Sequence, residues 1–309
     1  MTILLSNIDR QHYTDRDPWT PYWSDCYNYT VNPYIEINNN NPNLVICYGD
    51  SWTWGDSLGN ASAQHRIEDS EFRSQNVYGY HLAKSLNADF VNIATPGVMN
   101  YWIHDRLTIL CDHDIERLHT LYNNIYIIVT LTELGRDFEF DKYIDEFRTF
   151  YNWSDDPECT GEKILIQAEH FDFLKLKQIN NRLPNNCHMV VGRNFTNTFD
   201  VNKSILPNLM LENWTNVLLH KQNISTAGDV AIMSFGIDRF NKFIQSQQLD
   251  TQMFKEWFVN NLSTLANYQI DCLAKSMYNY NKASKHPTPE GHKLWAEYIL
   301  TYLTNNNII

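Results

Sequence analysis

Four short apolar runs punctuate the chain: Leu44-Val-Ile-Cys-Tyr48, Ala88-Asp-Phe-Val-Asn-Ile93, Ile125-Tyr-Ile-Ile-Val-Thr130 and Cys187-His-Met-Val-Val191. They are too short for buried helices and rich in β-branched residues. Their near-continuous apolar character is that of strands buried on both faces. The segments between them, at 77–87, 101–122 and 163–181, carry helical spacing. Strands alternating with helices predict an α/β fold, a three-layer α/β/α sandwich with a mainly parallel sheet of about five strands. A last helix is marked by Thr288 as its cap, Pro289 at its first position and a stripe of Leu294, Trp295, Tyr298, Ile299 and Tyr302.

The pattern also divides the chain. Residues 1–40 are aromatic and polar with little periodicity, and they run into Asn38-Asn-Asn-Asn-Pro42, a turn or linker signal. Residues 1–42 therefore read as an N-terminal arm that wraps the domain or docks on a partner, or equally as a floppy tail. The domain proper is expected over 43–309. Within it, 205–280 is less regular, helical around 238–248 and 252–260, and reads as an insertion or cover.

Composition narrows the function classes. With 43% hydrophobic and 19% charged residues the chain is an ordered globular one. Its net charge of −12 repels phosphate backbones and disfavours nucleic acid as a partner. None of the cysteines at 26, 47, 111, 159, 187 and 272 forms a CxxC pair, and Cys47 and Cys187 fall inside apolar runs as small core residues. Asp112-His113-Asp114 lacks further ligands at metal spacing and reads as a solvated helix face. No nucleotide signature is present, and neither a metal nor an organic cofactor is expected. No run approaches a membrane span. The N-terminal apolar stretch is too short, and lacks the basic start, for a signal peptide. The expectation is a soluble chain with no signal for classical export.

The chemistry concentrates at two places. In Val45-Ile-Cys-Tyr-Gly49-Asp50-Ser51-Trp-Thr-Trp-Gly55, a buried strand delivers Ser51 to its carboxyl end, where ligands bind in open parallel sheets. A helix starting there would direct unpaired N–H groups towards Ser51, and such groups stabilise an oxyanion. Far downstream, Ser284-Lys-His286-Pro287-Thr288-Pro-Glu-Gly291-His292 places one histidine in a loop and a second inside the last helix. Gly49-Asp50-Ser51 and His286-Pro287, in this order and at these two ends of the domain, resemble blocks I and V of the SGNH/GDSL hydrolases. The resemblance covers about residues 43–305 and is loose between its ends.

That resemblance implies Ser51 as nucleophile and His286 as general base, with His292 as the competing, helical histidine. Gly97, after the second strand, matches the family's backbone oxyanion donor beside the N–H of Ser51. The family's Asn after the third strand is missing from Thr130-Leu-Thr132-Glu133-Leu-Gly-Arg136-Asp137. Thr132 or Glu133 stands nearest its position, Arg136 could supply charge or fix the loop, and Asn194 after the fourth strand is a further donor candidate. Asp50 is a supporting residue of the turn. Ala283 occupies the position of the family's Asp, three residues before the histidine, which implies a Ser-His dyad or an imidazole oriented by Asp271 or a backbone carbonyl. The implied activity is that of a serine esterase on acyl esters. The 14% aromatic content points weakly towards O-acetylated carbohydrate. The Asn- and Tyr-rich composition and the lost Asp also resemble SGNH-like proteins of marine bacteriophages and bacteria. That implies the alternative, a catalytically weakened virion or surface protein with a glycan-binding or structural role, cytoplasmic or virion-associated, that docks on virion or homo-oligomer partners through residues 1–42.

Overall fold

The computed structural model describes residues 35–55, 58, 70–95, 98–132, 137–138, 141–151, 161–194, 208–210, 213–214, 217–218, 280–281 and 286–309. Its centre is a parallel sheet of four strands, β2 (Asn43–Tyr48), β3 (Ala88–Asn92), β4 (Asn124–Leu131) and β5 (Cys187–Arg193), in the order β3-β2-β4-β5. All four coincide with the apolar runs. The three-residue β1 (Ile35–Ile37) adds an antiparallel edge to β3, pairing Ile35 with Asn92 and Ile37 with Phe90.

β1 lies within residues 1–42, so the last part of that segment joins the sheet. Its turn is held by a buried acid. Asp89 Oδ1 accepts the N–H groups of Asn39 at 2.9 Å and Asn41 at 3.0 Å, and Oδ2 accepts the Tyr122 hydroxyl at 3.1 Å. The rest of the arm lies outside the described residues, as does most of the 205–280 segment.

Alternation along the strands sends residues to two cores. Val45, Cys47, Phe90, Tyr126, Ile128 and Val190 face one layer. That layer holds α3 (Tyr78–Ser85) and the last helix, α8 (Pro289–Asn305). Leu44, Ile46, Val91, Ile125, Ile127 and Met189 face the other. It holds α4 (Asn100–Ile109), continued by a π-helical turn at Leu110–Asp114, and α5 (Ile115–Leu121). Helix α6 (Asp141–Tyr151) adds Tyr143 and Phe147 to the first core, and α7 (Gly161–Asn180) adds Phe171 to the first and Phe173, Leu176 and Ile179 to the second. The three-layer α/β/α reading therefore holds.

The π-helical turn divides the single helix expected at 101–122. It also contains Asp112-His113-Asp114, whose acids are paired: Asp112 with Arg182, and Asp114 Oδ1 with Arg117 at 3.3 Å. Cys47, Cys111 and Cys187 are buried free thiols. Among the described residues, no helix is long and apolar enough to cross a membrane.

The strand order carries the functional consequence. The chain leaves β2 to form β3 on one side of it, then returns to form β4 on the other. The carboxyl ends of β2 and β4 therefore flank a topological switch point, where open α/β sheets leave a crevice.

Candidate active site

Ser51 opens the short helix α1 (Ser51–Trp54) at the carboxyl end of β2 and is half-buried, while the residues after it are buried. Both ends of α1 are fixed. At its start Asp50 is the N-cap, and its Oδ1 accepts the Trp52 N–H at 3.0 Å. At its end Gly55, with φ 82°, takes the left-handed conformation that lets its N–H reach back to the Ser51 and Trp52 carbonyls. Asn92, at the end of β3, donates from Nδ2 to the Thr53 carbonyl at 2.9 Å. Gly49 is glycine for want of space: a Cβ there would lie 2.1 Å from Thr53 Oγ1 and 2.7 Å from Thr53 Cβ.

Asp50 gathers donors from across the switch point. Thr132, just beyond β4, donates its hydroxyl to Oδ2 at 3.0 Å. Asn194, just beyond β5, donates Nδ2 to Oδ1 at 2.8 Å. Both residues are expected from the sequence as oxyanion donors, and each donates a bond to Asp50. A hydroxyl has one proton, so Thr132 Oγ1 has none left for an oxyanion. The two side chains support the residue preceding Ser51.

A further polar layer lies beneath Thr132. Asn100, fully buried at the start of α4, accepts the Thr132 N–H on Oδ1 at 2.9 Å and donates from Nδ2 to the Thr132 carbonyl at 3.3 Å. Nδ2 also donates to Asp172 Oδ2 at 3.3 Å. Burial, with the charge of Asp137 close by, pushes the Asp172 carboxyl well above the usual range. Burial and the charge of Lys175 bring His104 down to about 3. His104 Nδ1 lies 3.9 Å from Asp172 Oδ1, and burial disfavours the charged form of each.

The C-terminal histidines occupy different surroundings. His286 is half-buried in β7 (His286–Pro287), which pairs antiparallel with β6 (Tyr280–Asn281). β7 lies against α1, with Cα atoms of the two elements within 8 Å. The fold thus brings the Ser51 helix and the His286 strand together. Thr288 then caps α8, its Oγ1 accepting the Gly291 N–H at 3.3 Å.

His292 is fully buried one turn into α8, and its Nδ1 accepts the Tyr78 N–H at 3.2 Å. Its neutral ring therefore carries the proton on Nε2. It stacks on Tyr78 and meets Trp214 edge-on at 5.0 Å. Trp214 also touches Trp52 of α1 edge-on at 5.4 Å and stacks on Trp295 at 5.6 Å, tying α1 to α8. Burial first, then the charges of His81 and His286, hold His292 well below the ordinary histidine range.

No family model and no curated protein matches the sequence. Solved structures similar to it include three esterase or lipase structures. The first is a carbohydrate esterase whose active site displays divergent catalytic and non-catalytic binding functions, 13% identical, over 85% of this chain and 69% of that one, with a TM-score of 0.36. The second is described as a GDSL-like lipase from Parabacteroides merdae, 14% identical, over 85% and 96%, with a TM-score of 0.33. The third is a variant of a Geobacillus acetyl-xylooligosaccharide esterase, 10% identical, over 86% and 95%, with a TM-score of 0.32.

Of the residues the sequence singles out, Ser51, Asp50, Thr132, Asn194 and His286 converge on the carboxyl end of the sheet. Gly97, Glu133, Arg136, Asp271 and Ala283 lie outside the described residues. Asn100 and Asp172 escape sequence reasoning, since the bonds that give them a role span 32 and 72 positions. Among the described residues, no group of three His, Cys, Asp or Glu side chains is placed to hold a metal ion.

Proposed function

We propose that this protein is a serine hydrolase of acyl esters, with Ser51 as nucleophile and His286 as general base. The observation that carries the reading is the adjacency of α1 and β7 at the switch point of the sheet. A strand-end serine on a fixed turn and a half-buried histidine on the neighbouring strand are the two groups acyl transfer needs.

In this mechanism Ser51 Oγ attacks the ester carbonyl carbon while His286 takes its proton. The oxyanion is held by backbone N–H groups, that of Ser51 and, on the family resemblance, that of Gly97. Collapse of the tetrahedral intermediate expels the alcohol, which receives the proton from His286. A water activated by the same imidazole then releases the acid and restores Ser51. O-acetylated carbohydrate is the substrate class to test first, because the chain's abundant aromatic side chains suit sugar faces.

The deciding experiment is labelling with a fluorophosphonate probe and mapping of the modified residue, alongside hydrolysis of 4-nitrophenyl acetate. The expected result is modification at Ser51, with Ser51→Ala losing both labelling and hydrolysis while keeping the parent's unfolding midpoint. Equal hydrolysis by Ser51→Ala would refute the assignment.

A further inference from the structure

We infer that Asn100 and Thr132 are positioning residues for Ser51, acting through Asp50. This rests on the reading of Ser51 as nucleophile for its catalytic consequence, but the hydrogen-bond chain stands on its own geometry.

Asn100 has two amide protons and a carbonyl oxygen, and one backbone position absorbs most of that capacity. It meets the Thr132 N–H and C=O as a neighbouring strand would, closing the end of β4 where the described ladder stops. Its remaining proton goes to Asp172 on α7. No other side chain of that size offers this combination. Asp lacks the donors, and Ser or Ala cannot reach both backbone groups. The Thr132 backbone is thus held from α4, and its hydroxyl meets Asp50 at 3.0 Å.

Asp50 in turn spans Ser51, because it joins Thr132 and Asn194 on one side to the Trp52 N–H on the other. The residues immediately before and after Ser51 are therefore bonded to each other, and the bond is anchored in β4 and β5. Asp50, Asn100, Thr132, Asp172 and Asn194 are all buried, whereas Ser51 is half-buried. Buried hydrogen bonds meet little competition from water, so each fixes its neighbour's direction. A nucleophile is sensitive to such fixing, since misplacement by about 1 Å costs on the order of 100-fold in rate.

The test uses the full chain with Thr132→Val, which keeps the shape and removes the hydroxyl, and Thr132→Ser, which keeps the hydroxyl. Three quantities are read: kcat and KM for 4-nitrophenyl acetate, the rate of fluorophosphonate labelling at Ser51, and hydrogen exchange at the Trp52 amide. Thr132→Val should lower kcat and the labelling rate by about 10- to 100-fold with KM changed less than about twofold. It should also speed Trp52 exchange by about tenfold or more. Thr132→Ser should return all three towards the parent.

A purely structural Thr132 would lower the unfolding midpoint but leave kcat of the folded protein unchanged, and that result overturns the inference. Trp52 exchange unchanged in Thr132→Val also overturns it. A parent that neither labels nor hydrolyses refutes the proposed function instead. In that case faster Trp52 exchange in Thr132→Val, reversed in Thr132→Ser, upholds the positioning of α1, and unchanged exchange removes it.

Discussion

Replacing His292 by leucine separates the two C-terminal histidines by what each contributes. Leucine retains the bulk between Tyr78 and Trp214 but removes the Nδ1 that accepts the Tyr78 N–H at 3.2 Å. A buried donor without its acceptor costs about 1–3 kcal/mol. Losing the ring contacts adds about 0.5–1.5 kcal/mol. We therefore expect His292→Leu to lose about 2–4 kcal/mol in urea unfolding at pH 7.5.

The loss should depend on pH. Burial holds the His292 imidazole well below its ordinary value, which is about 6.5 in the unfolded chain. Below pH 6.5 the unfolded state binds a proton that the folded state refuses. This contribution to stability is therefore complete above 6.5 and declines by about 1.4 kcal/mol per unit as the pH falls. Leucine has no such titration, so its deficit should shrink by about 2 kcal/mol between pH 6.5 and 5. A deficit constant from pH 7.5 to 5 would refute the account of His292 as a base kept neutral by the fold. Esterase activity completes the separation. His292→Leu should retain the parent's kcat where it is folded. His286→Ala should keep the parent's stability and lose about 100- to 10,000-fold in kcat. Equal losses of activity would reverse the assignment of the base.

Gly49→Ala should destabilise the protein by about 1–3 kcal/mol and reduce ester hydrolysis, because the new methyl overlaps Thr53 and pushes α1 from its seat. An unchanged unfolding midpoint would contradict the close approach. Asp172→Asn should change the pH dependence of stability. The fold holds the Asp172 carboxyl protonated above its unfolded value of about 3.9, so its contribution is complete below that value and is lost as pH rises towards the folded one. The amide carries no such proton and can still accept from Asn100. The variant should therefore gain on the parent by about 1.4 kcal/mol per unit above pH 4 until the folded value is reached, and parallel stability curves would refute this.

The elements legible in the sequence are those whose surroundings leave a local trace. β2, β3, β4 and β5 are buried on both faces and show as apolar runs. The last helix declares its own start through Thr288 and Pro289. β1 leaves no such trace. It is three residues beside an asparagine-rich stretch, and its strand character is set by β3 and by Asp89, about fifty positions away. The π-helical turn at Leu110–Asp114 is equally silent, since no Pro or Gly marks it. At the site, sequence position brings Asp50, Thr132 and Asn194 into view but not the direction of their side chains. Direction appears only in the fold, where Thr132 and Asn194 both turn their side chains to Asp50.

The bond between Tyr78 and His292 closes a loop of 214 positions. It joins α3 to α8, and β7 with His286 lies immediately before α8. Contacts of such separation are entropically costly to form and tend to arrive late in folding. On the ribosome, the sheet strands and the Ser51 turn emerge long before the segment that completes them. During that interval the surface that α8 covers is open, and Trp295, Ile299 and Leu303 are not yet there to fill it. On the proposed reading, the site is assembled only when α8 docks. A nascent or C-terminally clipped molecule would present the Ser51 turn without His286 beside it and an uncovered apolar face for chaperones to hold.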